Sequence, residues 1–381
     1  MFSKLVISVI VFLTFASIAL GAQQQYRVEG RLMYRAPDGS VLPAAHVTAQ
    51  IYDRDIPPDR DDLLAVALTD DEGMISAEFA AQPHQDIYVR FVTANSSWKV
   101  TDSGGSMYQW QTLVFWDSVE EGKTCTVTLG TFVVGRPESD TADTPPEGTN
   151  ESVGALWIFD AVRKANDFCT KHGINLSRGD KQIRLMWPSE KGETCSVGTD
   201  IHVALHRAGH RDIIIHEIGH ILMSAYSRIP RGAGGRHRID KSYNEQLAWS
   251  EGWATFFAAC VLYEDGEAEP MLHNFGGGIS IEDIPGSIPA GDRNEMRVAA
   301  ALWDLYDVVQ DGSDNIGIHF ADIWEVLAES RGRPVSGFRQ FALLLVRHSF
   351  TDERIIQGIQ KTLAHNSIHY ELEELLRARR Q

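Results

Sequence analysis

Apolar and polar residues alternate in short runs from Gln25 to Val134, and the apolar spacing turns helical from Glu151 onward. The short β-prone runs, several of them alternating, are Tyr26–Tyr34, His46–Tyr52, Leu64–Leu68, Ile75–Phe79, Ile87–Val92, Gln111–Phe115 and Cys125–Val134. Turn-forming clusters at Pro37–Gly39, Asp53–Asp61 and Asp70–Gly73 separate them. Short strands at that spacing predict an all-β sandwich over 25–135. Arg136–Asn150 is polar and acidic, contains proline and has no apolar period, so it reads as a linker. Beyond it, Val153–His172 places Leu156, Trp157, Phe159, Val162, Ala165 and Phe168 at helical intervals. Gln182–Trp187 and the alternating Ser196–Leu205 read as strands, and Gly276–Gly291 as a Gly/Pro loop that could rim a cleft. Helices are expected at Glu295–Val309, Phe320–Glu329, Ser336–Ser349, Asp352–Ala364 and Tyr370–Arg379. The expected fold class is multidomain: an N-terminal all-β sandwich, then an α+β domain over 151–381 that is mainly helical in its later part.

Two apolar stretches carry ionisable residues where burial should exclude them. Ile213–Met223 is apolar almost all the way round, so as a helix it is buried. Yet it holds His216, Glu217 and His220. Four-residue spacing sets the two histidines on one helical face, about 5–6 Å apart at Cβ, close enough to share one metal ion. Glu217 lies one position round, where it can take a proton from a water on that ion. This is the H-E-x-x-H arrangement of zinc peptidases. The structural alternative is two core histidines bonded to backbone carbonyls.

The second stretch, Gln246–Tyr263, contains one charged residue, Glu251. A lone carboxylate on an aromatic helix is costly to bury unless a cation meets it. A zinc ion on His216 and His220 would be that cation; an arginine from the intervening Gly/Arg-rich loop Arg228–Asn244 is the alternative. Antiparallel packing of the two helices across that loop would bring Glu251 onto the ion. Gly219, inside the first helix, costs on the order of 1 kcal/mol against alanine, and its missing Cβ would let another backbone approach.

HEIGH followed by SEGWATFFA resembles the gluzincin metallopeptidases, with the fungalysin type nearest in feel because its third ligand lies in a GEGWSDFFA-like segment. Glu295–Asp307 is similar to a helix that follows that ligand. The resemblance covers about 200–310 and rests on two short motifs. It implies a zincin-like fold, zinc as cofactor, His216, His220 and Glu251 as ligands, and Glu217 as catalytic base. Two departures stand out. The gap from His220 to Glu251 is longer than the gluzincin norm. The aspartate that thermolysin-like members place four residues after the ligand glutamate, to orient a histidine, is Thr255 here. The family also uses a Tyr or His to stabilise the oxyanion, for which Tyr306, His319 and Tyr243 are candidates. By position and resemblance, Gly198–Leu205 is expected to be the edge strand that pairs with extended substrate. Ala49–Gly73 resembles transthyretin-like and carboxypeptidase-regulatory sandwiches, implying an accessory module open to a protein partner.

Composition narrows the partners. A net charge of −17 argues against nucleic acid and anionic membranes. Met1–Ala22 reads as a secretory signal: Lys4, an apolar Leu5–Leu20 and a small-x-small cleavage site. A secreted or periplasmic protein with no stable membrane insertion after cleavage is therefore expected. Export permits disulfides, and of the four cysteines Cys169 and Cys195 form the plausible pair. The acidic loop Asp53–Asp62 and the turn Asp311–Asn315 read as solvated, with calcium as the alternative. His202, His206 and His210 lack the motif's acid and are not expected to be ligands. Glu295 is expected simply as an acid favoured at a helix N-terminus. Together these features predict a secreted zinc metallopeptidase acting on peptide or protein substrates. The alternatives are a non-catalytic binding protein with a structural metal, and a zinc hydrolase of a non-peptide amide.

Overall fold

The structure, a computed structural model, describes residues 23–116, 123–135, 152–177, 181–263, 265–267, 269–275, 277–308, 316–330, 335–349 and 352–379. The signal Met1–Ala22, the linker 136–150 and the turn Asp311–Asn315 lie outside them. In chain order the elements are β1 (Gln24–Arg35), β2 (Val41–Pro43), β3 (Thr48–Asp53), β4 (Asp62–Leu68), β5 (Met74–Ala81), β6 (Ile87–Val92), β7 (Trp98–Thr101), β8 (Gln109–Gln111) and β9 (Cys125–Val134). Then come α1 (Gly154–Lys171), β10 (Ile183–Met186), β11 (Cys195–Val197), β12 (Asp200–His202), α2 (Arg211–Tyr226), α3 (Glu245–Leu262), β13 (Met271–Leu272) and β14 (Ile279–Ser280). The helices α4 (Glu295–Tyr306), α5 (Phe320–Glu329), α6 (Phe338–Ser349), α7 (Glu353–His365) and α8 (Leu372–Arg379) complete the chain. No helix among the described residues is long and apolar enough to cross a membrane.

The chain divides into two units, 1–95 with 107–156, and 96–106 with 157–381. The first holds two sheets. In one, β1 pairs antiparallel with β2 and β5 and parallel with β9. Its strict alternation turns Tyr26, Val28, Leu32 and Tyr34 inward, each essentially inaccessible. The other sheet runs β4-β3-β6-β8. Phe91 of β6 and Phe132 of β9 bring the two sheets together, ring centroids 6.2 Å apart. In β1, alternation of period 2 makes one buried face, whereas β6 is buried at five of its six positions and does not alternate.

The second unit begins with a strand that the alternating pattern did not single out. β7 lies within the span 25–135 but pairs in parallel with β10, Trp98 opposite Ile183 and Thr101 opposite Met186. Trp98 packs against Phe159 of α1, ring centroids 5.3 Å apart. The sheet order is β11-β12-β10-β7. β12 is bonded on both sides, to β10 and to β11. The segment expected to be the free edge is thus largely interior, and the edge is β11. Cys169 and Cys195 are not bridged; Cys169 is buried in α1, and none of the four cysteines is in a disulfide.

Two glycines set the spacing of the central helices. A Cβ on Gly219 of α2 would lie 2.9 Å from Ala254 Cα of α3. A Cβ on Gly252 of α3 would lie 2.5 Å from Val298 Cγ1 and 2.9 Å from the Glu295 carbonyl of α4. Both are closer than a side chain tolerates, so α2, α3 and α4 stack at a backbone separation only glycine permits. Trp253 fastens the first contact by donating to the Gly219 carbonyl at 3.2 Å.

Candidate metal centre

The stacking of α2 on α3 lays His216, His220 and Glu251 against one another. His216 Nε2 and His220 Nε2 each stand 3.1 Å from Glu251 Oε2 and 3.1 Å from each other. Donor atoms held tetrahedrally at about 2.0–2.1 Å from zinc stand roughly 3.3–3.4 Å apart, so this triangle fits one ion. Among the described residues it is the group of three metal-capable side chains so arranged. Two imidazole nitrogens facing one carboxylate oxygen and each other cannot all be satisfied by shared protons, whereas a cation satisfies all three.

The outer nitrogens are also engaged. His216 Nδ1 meets Thr255 Oγ1 at 3.1 Å, and His220 Nδ1 meets Ser250 Oγ at 3.3 Å. A partner on Nδ1 fixes the ring so that Nε2 faces the ion. Thr255, standing where the family has its aspartate, reaches His216, and α3 supplies Ser250 for the second ring. Both contacts follow from helix pitch: Ser250 and Thr255 flank Glu251 on the face turned toward α2.

Burial opposes charge on Glu251, yet His220 and His216 hold its carboxyl well below the usual carboxylate range. Burial opposes charge on His220 as well, but Glu251 prevails and the ring lies above its ordinary value. Among the described residues, the ion pairs of Glu251 are with His216, His220 and His237. The arginine alternative for this buried acid is therefore absent from its described partners.

Glu217 is buried beside His216, and both line a cavity of about 780 Å³. Its walls come from the β11 approach (Glu193, Thr194), from α2, from Asn274 and Phe275, and from Pro285 and Ile288 of the expected rim loop. Asp212, at the start of α2, holds Asn274 by its backbone N–H at 2.9 Å and its side-chain amide at 2.7 Å. That pair sets the Phe275 ring 5.4 Å from His216.

His237, in the loop between the two motifs, was not singled out by its sequence context. Its Nδ1 lies 2.8 Å from Glu295 Oε2 and its Nε2 3.4 Å from Glu251 Oε2. Burial opposes its charge, but the Glu295 hydrogen bond and the surrounding Glu251, Glu295 and Glu217 push it up to about 9. Glu295, expected as a helix-terminal acid, is buried and engaged with this ring. The one available signal was a histidine lying between the two halves of the motif.

Of the other residues considered, Tyr306 packs edge-on against Phe256, Phe320 and Trp303, and His319 precedes α5. Neither they nor Tyr243 line the cavity. His206 lines its rim, His202 meets Ser189 Oγ at 3.2 Å, and His210 meets Arg207 at 2.6 Å.

Residues 165–344 match the family model described as the Mycolysin C-terminal domain. A comparison with curated proteins gives no match. Among solved structures, the precursor of protealysin, a metalloproteinase from Serratia proteamaculans, aligns at 12% identity over 59% of this chain and 82% of that one, with a TM-score of 0.39. A 9R-lipoxygenase from Cyanothece PCC8801 aligns at 18% identity over 39% of this chain and only 24% of its own, with a TM-score of 0.21. The plantain pollen allergen Pla l 1 aligns at 12% identity over 29% of this chain and 91% of its own, with a TM-score of 0.20.

Proposed function

We propose that this chain is an exported zinc metallopeptidase in which His216, His220 and Glu251 hold the ion and Glu217 is the general base. The observation that carries the reading is the triangle of three donor atoms at 3.1 Å beside a cavity that Glu217 also lines. The match of residues 165–344 to the Mycolysin C-terminal domain supports a peptidase setting.

Three protein ligands leave a coordination position for water or substrate, as a catalytic site requires and a closed structural site does not. Zinc bound there would acidify a water and polarise a carbonyl. Glu217 takes the proton from the attacking water and returns it to the leaving nitrogen. Thr255 and Ser250 keep the two rings turned inward. The edge strand β11, adjoining cavity residues Glu193 and Thr194, offers backbone groups to an extended peptide.

The test pairs two variants. Glu217→Gln should retain zinc and lower kcat on casein by about 10²–10⁴-fold, the range for a positioned acid–base group. Glu251→Ala should lose tight zinc. Full cleavage by Glu217→Gln would remove it as base, and stoichiometric tight zinc in Glu251→Ala would remove the third ligand. A wild-type protein that binds zinc and leaves casein and peptides intact would instead favour a structural metal in a binding protein.

A further inference from the structure

Arginine and carboxylate side chains line the cavity, and all but one of them have a partner or a task. Glu193 pairs with Arg236 at 3.0 Å, Arg238 with Asp240 at 2.9 and 3.0 Å, and Glu295 with His237 at 2.8 Å. Glu217 is the proposed base. Arg207 remains. Among the described residues it meets no carboxylate; its Nη1 donates to His210 Nδ1 at 2.6 Å. A guanidinium carries five N–H donors in a planar fork, so most of this one's are left for a ligand.

The surroundings hold that guanidinium in place. Arg207 ends a single 3-10 turn, Leu205–Arg207, between β12 and α2. Ahead of it, buried Trp187 donates from Nε1 to the Leu205 carbonyl at 2.9 Å. Ala204 N–H donates to Thr194 Oγ1, another cavity residue, at 3.1 Å. Behind it, His210 N–H donates to the Arg207 carbonyl at 3.0 Å, and the His210 carbonyl accepts from Ile214 N–H of α2 at 3.1 Å. Burial and the adjacent guanidinium push the His210 pKa down, so its ring is neutral and Nδ1 accepts. The chain as a whole carries a net charge of −17 and repels anions. A fixed guanidinium with no internal counter-ion reverses that field locally, and its fork matches the two oxygens of a carboxylate.

We propose that Arg207, positioned by His210, receives a carboxylate of the substrate, so that the protein selects peptides carrying Asp, Glu or a free C-terminus at one fixed distance from the scissile bond. The proposal rests on the peptidase reading and gives it a substrate class. Arg207 is a binding residue here and His210 a positioning residue; neither takes part in the proton transfers.

The experiment starts from casein digested by the wild-type protein, with the new termini read by mass spectrometry. Asp, Glu or a C-terminal residue should recur at one distance from the cuts. A quenched peptide built on one such site is made with Glu or Gln at that position and, shortened to end there, with a free acid or an amide. The Glu/Gln ratio of kcat/KM reports a side-chain carboxylate, and the acid/amide ratio a C-terminal one. Wild type should favour the carboxylate by about 10–100-fold in one of the two pairs, the size of one charge-assisted contact. In Arg207→Gln that ratio should fall to near 1, with the loss carried mainly by KM. Arg207→Lys, which keeps the charge without the fork, should retain part of it. His210→Ala should narrow the ratio, and His210→Asn, which keeps an acceptor, should restore some of it. Zinc content and circular dichroism are checked on every variant. A wild type that cleaves without either preference would overturn this proposal alone. So would a preference that persists in Arg207→Gln, or one abolished by Arg238→Gln instead. A wild type that cleaves nothing would overturn the peptidase reading and this inference together.

Discussion

At the scale of single residues, the proposed centre sets a proton against a cation. His220 lies above its ordinary pKa because Glu251 outweighs its burial. The ring therefore keeps its proton to higher pH than a free histidine, and that proton must leave before Nε2 can bind an ion. Zinc affinity should fall as pH is lowered, with protons released as zinc binds. Calorimetry in two buffers of different ionisation enthalpy would count the protons; a count of zero would show that His220 does not bind the ion. The residues of this triangle were legible in sequence because helical spacing and an isolated acid are local facts. His237 was not. It sits among glycines and arginines with no period, and its partner Glu295 is 58 residues away. Glu295 had an adequate local explanation as a helix-terminal acid, which concealed its contact.

At the scale of elements, the centre depends on how closely three helices approach. Gly219→Ala gains about 1 kcal/mol of helix propensity. Its new Cβ, however, meets backbone at Ala254 Cα, which has no rotamer with which to yield. Net destabilisation of about 1–3 kcal/mol is expected, with weaker zinc binding as α2 moves from α3. Gly286→Ala, where a Cβ meets nothing within 4 Å, serves as the control and should melt like wild type. Equal melting of both variants by calorimetry would mean the helices can part without cost. Most elements could be read from apolar period, Phe320–Glu329 and Ile87–Val92 with the same ends and others with ends shifted. β7 could not. Four residues between turn clusters show little more than one alternation, and the partner Ile183–Met186 lies more than eighty residues on.

At the scale of the whole molecule, β7 decides where the second unit can be cut. A chain starting at residue 151 would omit Trp98, Val100 and Thr101, all buried, and leave β10 unpaired on one side. Losing the tryptophan alone should cost about 3–5 kcal/mol. The 151–381 fragment should therefore be recovered aggregated or with a strongly lowered Tm, whereas 23–381 should melt cooperatively. A fragment with the full-length Tm would show that β7 is dispensable. The four unbridged thiols likewise mean that reductant should leave this melting unchanged.

The interrupted course of the chain has a consequence for processing. Many proteases discard an N-terminal region once it has served, by one scission in the connecting segment. Here such a scission within 136–150 would leave the two polypeptides joined, because the earlier one supplies strand β7 to the later one's sheet. Freeing the helical half would mean pulling a tryptophan out of its interior, so the N-terminal region is built to stay.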